Sequence, residues 1–224
     1  MLIPSIDLMG GKIVQLVQGS RKALEFDNFQ EWVERFSKYP LVQVIDLDAA
    51  MGRGDNRDLV RELAGQLPCQ VGGGIRSIEA AQATLNLGAR RVILGSSLIS
   101  QGAINAAFAR EAAIELGPEK LVFAADCRGG YVAIKGWQEA TGITAHEMMR
   151  ALDPFCDAFL YTHIDTEGLL QGIPLEVIRS LRTATSHRLI AAGGIRSVEE
   201  VAALDAIGVD AVVGMAIYRG LLPA

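Results

Sequence analysis

Apolar positions along this chain follow two alternating patterns. Short runs rich in Val, Ile and Leu lie near residues 2–7, 42–47, 68–72, 91–95, 120–126, 157–162, 188–192 and 210–214. Between them, apolar residues return with helical spacing. Ile78 to Leu87 and Val198 to Ile207 place Ala, Val, Leu and Ile on one face and Glu79, Gln82, Asn86, Glu199 and Asp205 elsewhere. Continuous short runs suit strands buried on both faces, and helices with one apolar stripe cover such a sheet. Eight repeats of strand then helix predict a closed (β/α)8 TIM barrel, with an open doubly wound sheet as the other arrangement the pattern allows. Ser197 with Glu200 predicts a capping box, Pro174 suits the first turn of a helix running towards Ser180, and Gly88 and Gly208 stop matching helices. Segments 12–17 and 131–134 follow Gly-Gly turns and read as small hairpins over the ends of the first and fifth strands. After the eighth strand only residues 215–224 remain, room for about one or two helical turns, so a short last helix is expected.

The same landmarks occur twice. Asp7-Leu8-Met9-Gly10-Gly11-Lys12-Ile13 returns as Asp126-Cys127-Arg128-Gly129-Gly130-Tyr131-Val132, and Gly73-Gly74-Ile75-Arg76-Ser77 returns as Gly193-Gly194-Ile195-Arg196-Ser197. Ile45-Asp46-Leu47-Asp48 matches Ile164-Asp165-Thr166-Glu167 by residue type. The chain therefore reads as one barrel over residues 1–224, built from half-barrels of approximately 1–117 and 118–224 with a two-fold internal repeat. Such a ring brings two carboxylates and two glycine turns around one cavity, an arrangement matched to a substrate with two anionic ends.

Composition narrows the picture. With 224 residues, half of them apolar, the chain can bury one large core. A formal net charge of −5 argues against a general nucleic-acid surface. Cys69, Cys127 and Cys156 are odd in number and lack metal-ligand spacing, so they read as reduced packing residues of a cytoplasmic protein. The first residues lack a basic, then apolar, leader, and no stretch has the length of a membrane span, so neither export nor a membrane partner is expected. The oligomeric state is left open.

Candidate chemistry sits at the strand ends. The turn at Gly73 and Gly74 opens a helix, and small residues there let backbone N–H groups approach an anion. With Gly95 and Ser96 at the end of strand four it predicts one phosphate cup; Gly193 and Gly194 with Gly214 and Met215 predict its counterpart. Asp7 read alone is a turn cap before Gly10-Gly11. Its recurrence as Asp126 predicts two facing carboxylates suited to general base and general acid work, an arrangement that requires no nucleophile or metal. Thr162 is placed to orient a carboxylate or a sugar hydroxyl. His163 reads equally as a scaffold residue or a substrate contact, while His146 and His187 belong to the surface. Asp46 and Asp48 are candidates either to line the rim or to hold Arg53 and Arg57 in surface pairs, and Asp46 leans to a structural role. Trp137, in a loop with few core neighbours, is expected to stack on a flat heterocycle, with simple loop anchoring as the competing reading.

Ile3-Pro4-Ser5-Ile6-Asp7-Leu8, Leu16-Val17-Gln18-Gly19, Ile45-Asp46-Leu47-Asp48, Val71-Gly72-Gly73-Gly74-Ile75-Arg76, Lys135-Gly136-Trp137 and Ala192-Gly193-Gly194-Ile195 together resemble the motifs of the phosphoribosyl isomerase family of histidine biosynthesis. The resemblance runs from residue 2 to about 220. It implies an Amadori rearrangement of phosphoribosylformimino-aminoimidazole carboxamide ribotide, a substrate with a phosphate at each end, and no cofactor. By position it implies Asp7 as proton acceptor, Asp126 as donor, an acid at Glu167 in the loop after strand six, and Gly19 and Trp137 beside the substrate. Three positions depart from the family pattern: Glu167 stands where Asp is usual, Gln15 where Arg is common and Ala49 where Gly is common. The sister cyclase, an isomerase that also accepts phosphoribosylanthranilate, and a non-catalytic phosphosugar-binding barrel share parts of this pattern.

Overall fold

The structure is a computed structural model that describes residues 1–223. Eight parallel strands close into a barrel: β1 (Leu2–Met9), β2 (Val42–Asp46), β3 (Cys69–Gly72), β4 (Arg91–Leu94), β5 (Leu121–Arg128), β6 (Ala158–His163), β7 (Arg188–Ala192) and β8 (Val209–Val213). Pairing of β4 with β5 and of β8 with β1 joins the two halves and seals the ring, which excludes the open doubly wound sheet. Every barrel strand overlaps one of the expected apolar runs. Ile3, Val122, Leu160, Ile190 and Val212 fill the barrel interior, and a larger apolar layer lies between strands and helices.

The halves diverge from the sequence comparison in one place. β1 pairs with β2 so that Asp7 faces Ile45 and Leu8 faces Asp46; β5 pairs with β6 so that Asp126 faces Thr162 and Cys127 faces His163. Asp46 thus corresponds to His163, two positions before the Asp165 that residue type suggests. Hydrogen bonds agree: Gly10 N–H donates to Asp48 at 2.6 Å and Gly129 N–H donates to Asp165 at 2.9 Å. Asp48 and Asp165 are the equivalent pair, each holding a glycine turn, and Glu167 has Ala50 rather than an acid as its counterpart. Sheet register follows backbone pairing and inward-outward alternation, which a residue-type match does not see.

Asp46 is structural, as expected, but neither Asp46 nor Asp48 pairs with Arg53 or Arg57. Asp46 accepts from the Ala49 N–H at 3.1 Å, the Asn56 N–H at 2.6 Å and the Asn56 amide at 2.8 Å, and Asn56 in turn accepts from Gly11 N–H at 2.9 Å. Buried acceptors satisfied by backbone donors need no cation.

Both expected hairpins form, each with a second strand that the sequence pattern did not signal: Lys12–Val17 pairs with Arg21–Phe26, and Tyr131–Ile134 with Glu139–Thr144. The missed strands are half-exposed and polar, so they carry no apolar run. Helix starts show two further departures. Ser197 accepts from Glu200 N–H at 3.4 Å, but the Glu200 carboxylate turns to Arg196 N–H, so only half of the expected box is made; the complete box is Thr144 with Glu147. Pro174 caps Leu175–Arg182 from outside rather than entering its first turn. The last helix is the single turn Met215–Tyr218. Beside it Phe26, Trp32, Phe36 and Tyr218 form an aromatic cluster, with Trp32 and Tyr218 ring centroids 4.2 Å apart. Cys69, Cys127 and Cys156 are buried free thiols.

Candidate active site

One cavity opens at the C-terminal ends of the barrel strands, where a closed barrel presents its loops. Asp7, Asp126, Thr162 and Glu167 line it together with Gly19, Gly73, Gly74, Gly95, Ser96, Trp137, Gly193, Gly194, Gly214 and Met215. The residues expected from the sequence to touch substrate therefore meet in one place, with His163 the exception. His163 does not line it; its Nδ1 lies 3.1 Å from the Tyr161 hydroxyl, which makes it a scaffold residue. His146 contacts Ser180 and His187 lies near Asp153, both away from the cavity.

Asp7 and Asp126 reach the cavity because strand alternation turns them inward from β1 and β5, at matching heights in the two halves. Each keeps part of its surface open to the cavity, yet lies deep enough for loss of solvent to dominate its ionisation. Enclosure raises the Asp7 carboxyl to about 6, partly opposed by the Ser5 hydroxyl, which donates to it at 3.0 Å. Asp126 is also raised by enclosure, against hydrogen bonds from Thr162 and from the Trp137 indole N–H at 2.8 Å. Glu167 is raised furthest, to about 8, first by enclosure and then by the negative charges of Asp7 and Asp126. Three carboxylates sharing one cavity cannot all ionise near neutral pH, and the one without resolved hydrogen-bond donors keeps the proton.

Three loops interlock over the mouth. Gln18 N–H donates to the Glu167 carbonyl at 3.0 Å, and the Gln18 side chain donates to the Asp165 carbonyl at 2.9 Å. Arg128 donates to the Trp137 carbonyl at 3.1 Å, while Lys135 N–H donates to the Ser96 hydroxyl at 2.8 Å. Lys135, Gly136 and Trp137 all have left-handed backbones, with φ of 55, 64 and 66°, a costly run that these contacts hold in place. Trp137 lies across Gly19, where an added Cβ would fall 2.5 Å from the indole ring. The side-chain hydroxyl of Ser96 is thus engaged by the loop, leaving its backbone to the expected cup.

The glycine turns are small for a reason beyond anion approach. A Cβ on Gly73 would run into the Asp46 backbone, and one on Gly193 into the equivalent His163 backbone, at φ of 105° and 109°. Gly74 and Gly194 pack in the same way on Ala49 and Thr166. Gly73→Ala and Gly193→Ala should each lower unfolding free energy by about 2 to 4 kcal/mol through backbone strain and overpacking. Gly10→Ala, at φ 58° with nothing within 4 Å of its Cβ, is the control and should cost about 1 kcal/mol. Urea unfolding measures the contrast, and equal losses at Gly10 and Gly73 would remove the backbone contact as the cause.

Two buried amides escaped the sequence reading. Gln43 on β2 lines the cavity floor, and Gln70 on β3 sits behind it. Their signal was present as single polar residues inside otherwise apolar strands, costly to bury unless bonded. Among the described residues, no group of His, Cys, Asp and Glu is arranged to hold a metal ion, and no helix is long and apolar enough to cross a membrane.

Comparison with known proteins places this geometry among relatives. The family described as "Histidine biosynthesis protein" matches residues 1–223. A protein of Methanocaldococcus jannaschii named 1-(5-phosphoribosyl)-5-((5-phosphoribosylamino)methylideneamino) imidazole-4-carboxamide isomerase is 37% identical over 99% of this chain and 94% of its own. Isomerases of the same name from Thermus thermophilus and Methanosphaera stadtmanae are 38% and 36% identical, over 98% and 99% of this chain and 94% and 95% of theirs.

Proposed function

The chain belongs to the histidine biosynthesis protein family, and on that premise we propose that it is the isomerase its relatives are named for, converting the aminoaldose ribotide of that name to its aminoketose. The observation that carries this reading is the meeting of three carboxylates, Asp7, Asp126 and Glu167, between two glycine-lined cups on opposite sides of one cavity, with Glu167 holding its proton to higher pH than Asp7. The relatives' name contains two phosphoribosyl groups, and two cups answer two phosphates.

In this mechanism the cup at Gly73, Gly74, Gly95 and Ser96 takes one phosphate and the cup at Gly193, Gly194, Gly214 and Met215 takes the other, through N–H groups at turn and helix starts that have no helical partner. The ribose is thereby stretched across the carboxylates. Glu167, which holds its proton up to about pH 8, delivers it to the ring oxygen as the C1′–O bond breaks and the Schiff base forms. Asp7, ionised above about pH 6, removes the proton from C2′, giving the enaminol. The enol hydroxyl then loses its proton as C1′ gains one, which yields the ketose with no net change in composition. Asp126, held by hydrogen bonds from Trp137 and Thr162, stabilises the cationic Schiff base in its carboxylate form. This assigns the donor's role to Glu167, whereas family resemblance alone points to Asp126.

The direct test is ultraviolet monitoring of the purified aminoaldose ribotide with the protein. Appearance of the ketose supports the assignment; saturable binding without conversion would leave only a phosphosugar-binding barrel. Trp137 supplies a separate check. Trp137→Ala should raise KM roughly five- to tenfold by removing an aromatic face. Trp137→Phe should keep most of the affinity but shift the pH profile, because only the indole N–H bonds Asp126. Steady-state kinetics across pH separate these two contributions.

A further inference from the structure

A line of buried polar side chains crosses the barrel beneath the carboxylates. Gln43, Gln70 and Arg91 stand at matching heights on β2, β3 and β4, each paired with the next in the sheet register. All three are buried, with Gln70 fully enclosed. The Arg91 guanidinium donates to the Gln70 carbonyl oxygen at 2.7 Å, and the Gln70 amide donates to the Gln43 carbonyl oxygen at 2.9 Å.

The chemistry of the chain sets its direction. A guanidinium has donors only, so Gln70 must turn its oxygen towards Arg91 and its NH2 towards Gln43. Gln43 must then accept with its oxygen, which leaves its own NH2 group pointing onto the cavity floor without a protein partner. Several neutral donors near Gln43 are committed: the Ser5 hydroxyl to Asp7, the Thr162 hydroxyl and the Trp137 indole to Asp126, and the Gln15 amide to the Val14 carbonyl at 2.9 Å. The carboxylates above the floor offer acceptors to sugar hydroxyls, but a bound sugar oxygen also needs a donor. The uncommitted amide of Gln43 supplies one, and its orientation is prepared before the ligand arrives.

We propose that Gln43 is a further substrate-binding residue whose side-chain N–H, held facing the cavity by Gln70 and Arg91, donates to a hydroxyl oxygen of the bound ribose. The assignment rests on reading the cavity as a ribotide site. Gln70 and Arg91 act through Gln43 and are positioning residues.

Calorimetric titration of the full chain with D-ribose 5-phosphate and with orthophosphate provides the test. In Gln43→Met, which keeps side-chain length and removes both polar atoms, affinity for ribose 5-phosphate should fall about 5- to 30-fold, the range of a buried donor lost to an unpaired oxygen. Affinity for orthophosphate should stay within about twofold, because the cups are untouched. Gln70→Met should show the same selectivity with a smaller loss, since Gln43 remains but can turn its oxygen inward. It also carries the test if Gln43→Met does not fold, as judged by thermal unfolding. Unchanged ribose 5-phosphate binding in the folded variants overturns the assignment, as does equal loss for both ligands or a wild type that binds ribose 5-phosphate no better than orthophosphate. Turnover of the ribotide by wild type is scored separately. If turnover fails while the selective loss persists, the isomerase reading falls and Gln43 stands as a sugar-phosphate contact.

Discussion

Asp7→Asn should lower kcat by a factor on the order of 10² to 10⁴ while the protein stays folded and still binds a bisphosphorylated ligand. The amide has the shape of the carboxyl and accepts from Ser5 in the same way, but it cannot take a proton from carbon. Loss of kcat with binding retained is the mark of a group needed in the transition state rather than for affinity. The same group sets the acid limb of the pH profile. Since the Asp7 carboxyl is raised to about 6 and must be ionised to act as base, kcat/KM should climb as pH rises through about 6. Near-normal kcat in Asp7→Asn, with the acid limb in place, would remove Asp7 from the mechanism.

Glu167→Gln should lower kcat by a factor on the order of 10² or more and abolish the alkaline limb. The wild-type rate should fall as pH rises through about 8, where Glu167 loses the proton it has to give. Because the three carboxylates titrate together, the limbs report the cluster, and the mutant tells which group dominates each. Stability supplies an independent sign. Glu167 has a higher proton affinity in the folded chain than in the unfolded one, so the stability from its protonated form is complete below the ordinary carboxylate range. That stability is lost as pH rises through about 8. Glu167→Gln should therefore melt a few degrees above wild type at pH 9, by roughly 1 to 2 kcal/mol, and close to wild type at pH 4. Greater stability joined to lower activity is the pattern of a site held against its own repulsion. Glu167→Asp tests the longer arm: activity should drop while the alkaline limb remains, because the acid is still present but withdrawn from the substrate. A fully active Glu167→Gln would return the donor's role to Asp126.

The distribution of legible and hidden features follows from the range of the forces involved. Eight strands, the closed barrel, the short terminal helix and the residues lining the cavity were readable because they depend on local signals. These are continuous apolar runs such as 42–47, Gly-Gly turns at strand ends, and an acid standing where an apolar strand should be buried. Duplication added the inference that two such ends face each other. Register was not readable. Matching Asp46 to Asp165 by residue type was wrong because pairing across strands, settled by backbone hydrogen bonds, makes His163 the counterpart of Asp46 and gives Asp48 and Asp165 the shared duty of holding a glycine turn. That correction isolates Glu167 as an acid of the second half alone. The reason Gly73 must be glycine, the commitment of Trp137 to Asp126, and the direction of the Arg91 to Gln70 to Gln43 chain are of the same kind. Each is decided by which atoms meet between residues 11 to 27 positions apart in the chain. Proton affinity is the extreme case: Asp7, Asp126 and Glu167 are ordinary carboxyls along the chain, and they part company only when folding removes water from around them and brings their charges into one cavity.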